Sequence, residues 1–281
     1  MSDLLKIENV SYQYDGKYRA LNNVSVSFAE GELVAVLGSN GAGKSTFFLC
    51  CNGVLKLQSG KIVYNGVELK GNKKDTFTLR QAVGLVFQDP DSQIIAGTVE
   101  SEVSFGPLNL ELSKEEVEKR VEESLVQMDI LRYRDYAPHY LSGGEKKRVS
   151  IADILAMQPS IILLDEPTAS LDPQNTDALE HILLALNESG ITIILSTHDV
   201  NFAYRIANRA IVFADGEIIA DANVDEVFSQ EDTLKKAGLK KPLLYEAFEH
   251  IQKAGLCKRS EKKPRTIEEF AWLMGDADAL A

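Results

Sequence analysis

Cysteine is scarce in this chain: Cys50, Cys51 and Cys257 are three in number, and two of them are adjacent. They make neither an even disulfide framework nor a CxxC pair, which fits a reducing compartment and excludes a disulfide-stapled scaffold. Long apolar runs are missing too. No stretch approaches the ~18 apolar residues of a spanning helix, and the opening MSDLLKIENV lacks a basic segment followed by an apolar core. The chain is expected to be neither secreted nor membrane-spanning by itself. Bases are in deficit, 30 Lys and Arg against 42 Asp and Glu, for a net charge of −12. A polyanion would meet a repulsive average field, so DNA and RNA start as poor partners. No internal repeat or low-complexity tract occurs. What is present suffices for a folded core: 281 residues, 44% hydrophobic and 26% charged, the size of one large domain with an appendage or of two small ones.

Alternation of apolar residues (Leu5, Ile7, Val10, then Val24, Val26, Phe28) predicts two antiparallel strands, with residues 14–23 as a polar turn between them. Residues 32–37 form a short apolar run that ends in a glycine-rich loop, after which residues 47–50 continue without breakers: strand, loop, helix. Asn65-Gly66 and Asp215-Gly216 are hairpin turns. Ser113 with Glu116, and Ser142 with Glu145, have the form of capping boxes; Val117, Val121, Leu125 and Met128 follow the first at helical spacing, and Val149, Ala152, Ile154, Leu155 and Ala156 follow the second. Apolar runs at residues 161–164 and 191–196, with a helical stretch over 174–187 between them, predict a parallel sheet buried on both faces, and hence an α/β fold.

Composition shifts near residue 234. Residues 235–265 hold ten Lys or Arg against three Glu, and residues 266–281 hold four acids and no base. A domain boundary is expected there, giving 1–234 and a C-terminal extension, 235–281. Its basic stretch reads as a solvated face, or else as proximity to an anionic membrane or acidic partner. The final segment predicts a capped amphipathic helix, Thr266 to Glu269 at its start, with Phe270, Ala271 and Met274 on the face of Ile267 and seeking a surface.

Gly38-Ser39-Asn40-Gly41-Ala42-Gly43-Lys44-Ser45 fits GxxxxGK[ST] in the strand–loop–helix setting the motif requires, and Thr46 continues it. Glycines allow successive amides to point at an anion, Lys44 neutralises β and γ oxygens, and the Ser45 hydroxyl suits Mg²⁺. Charge-assisted bonds of this sort contribute about 1.5–3 kcal/mol each. Asp165 and Glu166 end a buried strand. Two adjacent acids there would repel, so a divalent cation on Asp165 and a water activated by Glu166 give a reason for both. Ser142-Gly143-Gly144 opens a helix as a second anion-binding end without a lysine; alone, it would read as an ordinary cap.

These motifs together resemble the ATP-binding subunit of an ATP-binding-cassette transporter, over about residues 4–230. The resemblance implies a P-loop NTPase fold with a mostly parallel core sheet, an antiparallel β subdomain and an inserted helical subdomain at roughly 89–157. It makes Tyr14 the aromatic on which adenine stacks, with Tyr12 as competitor. Gln88 becomes a Mg²⁺-sensing residue that also links to the membrane partner, Leu141 to Glu145 the signature, Ser170-Leu171-Asp172 the D-loop, and His198 the switch residue contacting the γ-phosphate. His139, His181 and His250 stay structural. The signature departs from the commonest form in carrying Glu145 in place of Gln, a negative charge near a phosphate site that suits the third helical position. ATP and Mg²⁺ are the implied cofactors. The family's head-to-tail dimer implies a second ATPase subunit, a like copy or a paralogue, whose signature helix covers the first subunit's nucleotide.

Gln88-Asp89-Pro90-Asp91-Ser92-Gln93-Ile94-Ile95, continued by Thr98-Val99-Glu100, Val103 and Phe105-Gly106-Pro107, is similar to the energy-coupling-factor group that serves cobalt, nickel and vitamin uptake. That similarity implies a transmembrane T-component gripped by residues 89–107, a substrate-binding S-component, a place on the cytoplasmic face of the membrane, dimer contact through residues 235–281, and cobalt as cargo. No His or Cys cluster offers a cobalt site in this chain, so cobalt rests on the resemblance alone. Two rivals compete: a soluble cassette ATPase acting on nucleic acid or ribosomes, opposed by the acidic balance and the missing second cassette, and a non-catalytic cassette, opposed by Glu166 and His198.

Overall fold

A computed structural model describes residues 3–16, 18–256 and 263–275. One-sided burial sets the first sheet: β1 (Asp3–Tyr14) and β2 (Tyr18–Ala29) pair antiparallel. The turn is much shorter than the polar segment 14–23 suggested. Asp15 and Gly16 both take positive φ, and β2 resumes at once, burying Ala20 and Leu21. The chain then enters a second sheet as β3 (Leu33–Leu37), buried throughout, and runs through a loop into α1 (Lys44–Cys51). It returns to the first sheet as β4 (Ser59–Tyr64) and β5 (Val67–Leu69), joined at the Asn65-Gly66 turn, for a strand order β2-β1-β4-β5.

Helix α2 (Lys73–Ala82) leads into β6 (Val83–Val86). It has no counterpart in the sequence reading, because it is mostly polar and only Leu79 and Ala82 of its ten residues are buried. A helical lobe follows: α3 (Val99–Asn109), α4 (Lys114–Gln127) and α5 (Gly143–Ala156). Val117, Val121, Leu125 and Met128 are buried with Val103, Val149 and Ala152, and Ile154 packs on this core partly buried. The two helix starts differ. Ser113 accepts from the Glu116 amide, but Glu116 turns to Arg120 at 2.7 Å; at α5 the reciprocal box between Ser142 and Glu145 is complete.

The second sheet is completed by β7 (Ile161–Asp165), α6 (Pro173–Glu188), β8 (Thr192–Thr197), α7 (Val200–Ile206), β9 (Arg209–Ala214) and β10 (Glu217–Asn223). Its order is β10-β9-β3-β8-β7-β6, parallel except for the β9–β10 hairpin. Burial on both faces explains the continuous apolar runs. One face packs on the helical lobe, α6 and α7, and the other on α1 and the first sheet through Phe28, Phe47, Phe48 and Phe213. The carboxyl ends of β3, β8 and β7 therefore lie side by side above α1.

Among the described residues four helices follow: α8 (Val224–Ser229), α9 (Glu231–Lys236), α10 (Leu243–Lys253) and α11 (Ile267–Met274). The composition shift near residue 234 is not a break in packing. Leu234, Ala237 and Tyr245 join the core on the helical side of the sheet, and the Tyr245 ring stands 5.6 Å from that of Tyr204. Part of the basic charge is neutralised internally: Lys241 pairs with Glu231 and Glu249, and Lys263 pairs with Glu249 at 3.1 Å while lying 3.4 Å from the centre of the Tyr245 ring. Cys257 and residues 258–262 lie outside the described residues. In α11 the buried side chain is Leu273, with Ile267 64% and Met274 45% exposed. Of the expected face, Ile267 and Met274 are exposed while Phe270 and Ala271 are half-buried, and Leu273 sits about 240° round the helix from Ile267.

Segment 89–98 is fastened to the lobe by buried polar groups. Glu102 accepts from the Ile95 and Ala96 amides at 2.9 and 2.6 Å, while Gln93 accepts from the Phe87 amide and donates to Ser150 O and Asp153 Oδ2. Burial pushes the Asp153 carboxyl up to about 7, with Glu102 adding to the shift and the Gln93 bond opposing it. The native state then keeps a proton that the unfolded chain has already released. This stabilisation is present at acid pH and is lost as pH rises from about 4 to about 7. Asp153→Asn is expected to lessen the loss of stability between pH 5 and pH 7.5, as read from urea denaturation midpoints of both proteins.

Candidate functional site

Between β3 and α1 the backbone turns through residues 38–43. Gly43 caps α1 with φ 108°, and a Cβ there would stand 2.5 Å from Ala20 O, so only glycine fits. No side chain caps α1 and no acid occupies its first turn, which leaves its amides and its positive dipole end to an anion. Lys44, 6% exposed, donates to Gly38 O at 2.7 Å and Ser39 O at 3.3 Å. Burial lowers its pKa, against the opposing pull of Glu166 and Asp165. The cavity above the loop measures about 300 Å³ and is lined by Tyr18, Ala20, residues 40–46, Gln88, Asp165 and Glu166. The loop, both carboxylates and Gln88, far apart in sequence, share one space.

Parallel register fixes the carboxylates. Asp165 pairs with Ser196 across β7 and β8; the Ser196 hydroxyl donates to Asp165 at 2.5 Å and accepts from the Glu166 amide at 3.0 Å. Glu166 takes φ 44°, a left-handed backbone uncommon for a non-glycine residue, and this turn swings its side chain back over the loop. Its Oε2 lies 2.9 Å from His198 Nδ1. Its Oε1 is buried without a hydrogen-bond partner, and Lys44 Nζ is 3.7 Å away. An orphaned carboxylate oxygen over an anion cradle fits a site that receives a polyphosphate and a water. Among the described residues no group of three His, Cys, Asp or Glu side chains could hold a metal, so a cation here would combine Asp165 with the Ser45 hydroxyl, the Gln88 amide and phosphate oxygens, the hard oxygen set that suits Mg²⁺.

Ser142, Gly143 and Gly144 do not line this cavity within the chain. They stand at the head of α5, where a Cβ on Gly144 would meet the Asn175 side chain at 2.6 Å. Asp172 caps α6 through the Asn175 amide and side chain, both at 2.8 Å, bonds that lower its pKa. Signature and D-loop thus form one patch apart from the phosphate loop. Glu145 is turned back on its own helix start: it accepts from the Ser142 amide and hydroxyl and from Tyr133, whose bond is the main cause of its lowered pKa.

Two residues escaped the sequence reading. Tyr18 was assigned to a turn, yet it pairs with Tyr14 across β1 and β2, lines the cavity and donates to Gly41 O at 2.9 Å. The Tyr14 hydroxyl lies 3.4 Å from Thr46 Oγ1, with the Tyr12 ring edge-on behind it. Two tyrosines therefore flank the loop, and a strand start at residue 18 was the signal for the second. The other is Lys147 of α5, buried, which donates to the carbonyls of Phe87 at 2.9 Å and Gln88 at 2.6 Å. Burial lowers its pKa to about 8, opposed by Asp165 and Asp89. Nothing local to the sequence marks it.

Comparison with known proteins gives a consistent result. A family model described as ABC transporter matches residues 21–169. The energy-coupling factor transporter ATP-binding protein EcfA of Methanocaldococcus jannaschii is 45% identical over 250 residues, covering 89% of this chain and 90% of the relative. The solved structure of cbiO1 from Clostridium perfringens, part of the ABC transporter complex cbiONQ, is 37% identical with a TM-score of 0.76, covering 89% of this chain and all of that one. The ATP-binding cassette MJ0796, in a dimeric post-hydrolysis state bound to ADP and Pi, is 32% identical with a TM-score of 0.70, covering 78% of this chain and 98% of that one.

Removing the α5 cap separates the two halves of the site. Ser142→Ala should lower stability by about 1 kcal/mol while leaving nucleotide affinity of the isolated subunit unchanged, checked by chemical denaturation and titration calorimetry.

Proposed function

The chain belongs to the ATP-binding-cassette transporter family and is an ATPase, and on that premise we propose that it is the ATP-hydrolysing subunit of an energy-coupling-factor importer. The observation that carries the site assignment is the buried Glu166 carboxylate, bonded through one oxygen to His198 and without a hydrogen bond at the other, 3.7 Å from Lys44, over the phosphate loop. Lys44 and the amides of residues 41–46 take the β and γ phosphates. Glu166 accepts the proton of the attacking water, and His198 holds that carboxylate and contacts the γ-phosphate. Ser45, Gln88 and Asp165 would hold Mg²⁺, which neutralises charge on the phosphate oxygens. Tyr14 and Tyr18 supply aromatic faces for the base.

A second ATPase subunit, identical or paralogous, completes the site by laying its Ser142, Gly143 and Gly144 helix end, with Asp172, on the exposed side of the nucleotide. The exposed side chains of Ile95 and Phe105 support residues 89–107 as the surface for a transmembrane T-component, beside an S-component that carries the cargo. On this reading the subunit works at the cytoplasmic face of the membrane. No helix among the described residues is long and apolar enough to cross it. Cobalt as cargo rests on the resemblance of residues 88–107 to the energy-coupling-factor group, with a vitamin as the alternative within the same group. The C-terminal extension adds dimer contact through the exposed Ile267 and Met274.

Lys44→Ala is expected to abolish most ATP affinity, whereas Glu166→Gln keeps it and slows hydrolysis by roughly 10²–10⁴; equal loss of binding in both would remove the role given to Glu166. Ile267→Glu with Met274→Glu should weaken dimerisation in sedimentation without altering nucleotide binding. Affinity purification of a tagged chain from detergent-solubilised native membranes should recover small integral-membrane proteins. Recovery of ribosomal or nucleic-acid-bound partners alone would support the soluble ATPase instead.

A further inference from the structure

Helix α7 starts one residue after His198–Asp199 enters the turn, and Asp199 caps it through the amides of Asn201 and Phe202 at 2.9 and 3.1 Å. With a single residue between the histidine and the helix, a displacement of α7 moves the imidazole relative to Glu166, which is anchored on β7. What fixes α7 therefore fixes His198. On one side Arg205 forks onto Glu180 of α6, with bonds of 3.0 and 2.8 Å. Contacts from the C-terminal segment hold both of its ends.

At the start of α7, the Asn201 side-chain oxygen accepts from the Leu243 amide at 2.8 Å. Pro242 caps α10 without a side-chain hydrogen bond, so Asn201 supplies from α7 the cap that α10 lacks. At the far end, Arg265 donates to Ala207 O at 2.9 Å and to Asn208 Oδ1 at 3.1 Å, placing a cation on the carbonyls that end the helix. Between these clamps the fully buried Tyr204 and Tyr245 rings meet edge to face, and their hydroxyls both bond Asp225, one to its carboxylate at 3.0 Å and one to its carbonyl at 3.2 Å. The Arg265 guanidinium lies 5.8 Å from the centre of the Tyr204 ring.

We propose that the C-terminal segment braces α7 at both ends, so that Asn201 and Arg265 act as positioning residues for His198. This rests on the assignment of Glu166 and His198 to hydrolysis, and it differs from the dimer-contact role because it operates within one subunit. A displaced catalytic group costs rate even when binding is intact.

The test uses the full-length chain carrying Arg265→Ala, Arg265→Lys or Asn201→Ala, with Glu166→Gln in parallel. The chain has four histidines, so the imidazole Cε1–H resonances are few, and that of His198 is assigned from its loss in His198→Gln. Both alanine variants should shift or broaden the His198 resonance and lower kcat roughly 3- to 30-fold, the range for couplings carried through packed elements, with KM for ATP and sedimentation little changed. Arg265→Lys, which keeps the charge and loses the fork, should fall between. If Arg265→Ala does not fold, Asn201→Ala and Arg265→Lys decide the matter. A His198 resonance that stays in place in the folded variants overturns the proposal whatever the activity, as does a kcat loss that vanishes once protein concentration saturates the dimer. Unimpaired turnover in Glu166→Gln would instead overturn the catalytic assignment, a separate failure that the His198 resonance does not depend on.

Discussion

Three charged side chains, Lys44, Asp165 and Glu166, are taken out of water together, none more than 8% exposed, and the fold around them follows from that confinement. Isolated burial of any one would be prohibitive, and a buried ion pair on its own roughly breaks even against apolar packing. Here the compensation is geometric. Gly38 and Ser39 carbonyls take the ammonium, the Ser196 hydroxyl takes Asp165, and His198 takes one oxygen of Glu166. One oxygen is left over. Each partner arrives only because β3, β8 and β7 are neighbours in parallel register with their carboxyl ends aligned, so the strand order serves the site directly.

The helical lobe is tied to this centre by bonds from one buried and one half-buried group. Lys147 holds the Phe87 and Gln88 carbonyls, and Gln93 bridges the Phe87 amide to α5, the helix whose start carries Gly143 and Gly144. Gln88 is thus bonded to the same helix whose start is formed by Ser142, Gly143 and Gly144. The substituted Glu145 does not disturb this arrangement, since its charge is absorbed by the Ser142 cap and Tyr133.

Much of this was legible in the sequence because the information is local. The phosphate loop, the acid pair at the end of an apolar run, and Ser142 with Glu145 are contiguous motifs whose residue types have one good physical use, and the uninterrupted runs of β7 and β8 follow from burial on two faces. What escaped is what depends on distant chain. Lys147 looks like any helical lysine until the Phe87 and Gln88 carbonyls are placed beside it. Tyr18 read as a turn because the Asp15-Gly16 turn is tighter than its polar surroundings suggest. Helix α2 is mostly polar and buries only Leu79 and Ala82. The composition shift at residue 234 suggested separation, yet Tyr245 packs beside Tyr204 and Phe228; charge reports the surface of a segment, and three aromatic rings decide where it docks. In α11 the buried side chain is Leu273, which lies off the predicted face, a side the pattern did not specify.

In the proposed dimer the two anion-binding helix ends, distant within one subunit, meet on a single nucleotide. Sedimentation velocity of Glu166→Gln, which retains bound ATP, measures this directly when run with and without Mg²⁺ and ATP. The account predicts a shift from a smaller species toward the dimer on adding ATP, reversed by Ser142→Arg at the signature. A chain that binds ATP stoichiometrically yet shows the same sedimentation profile with and without it would contradict the account.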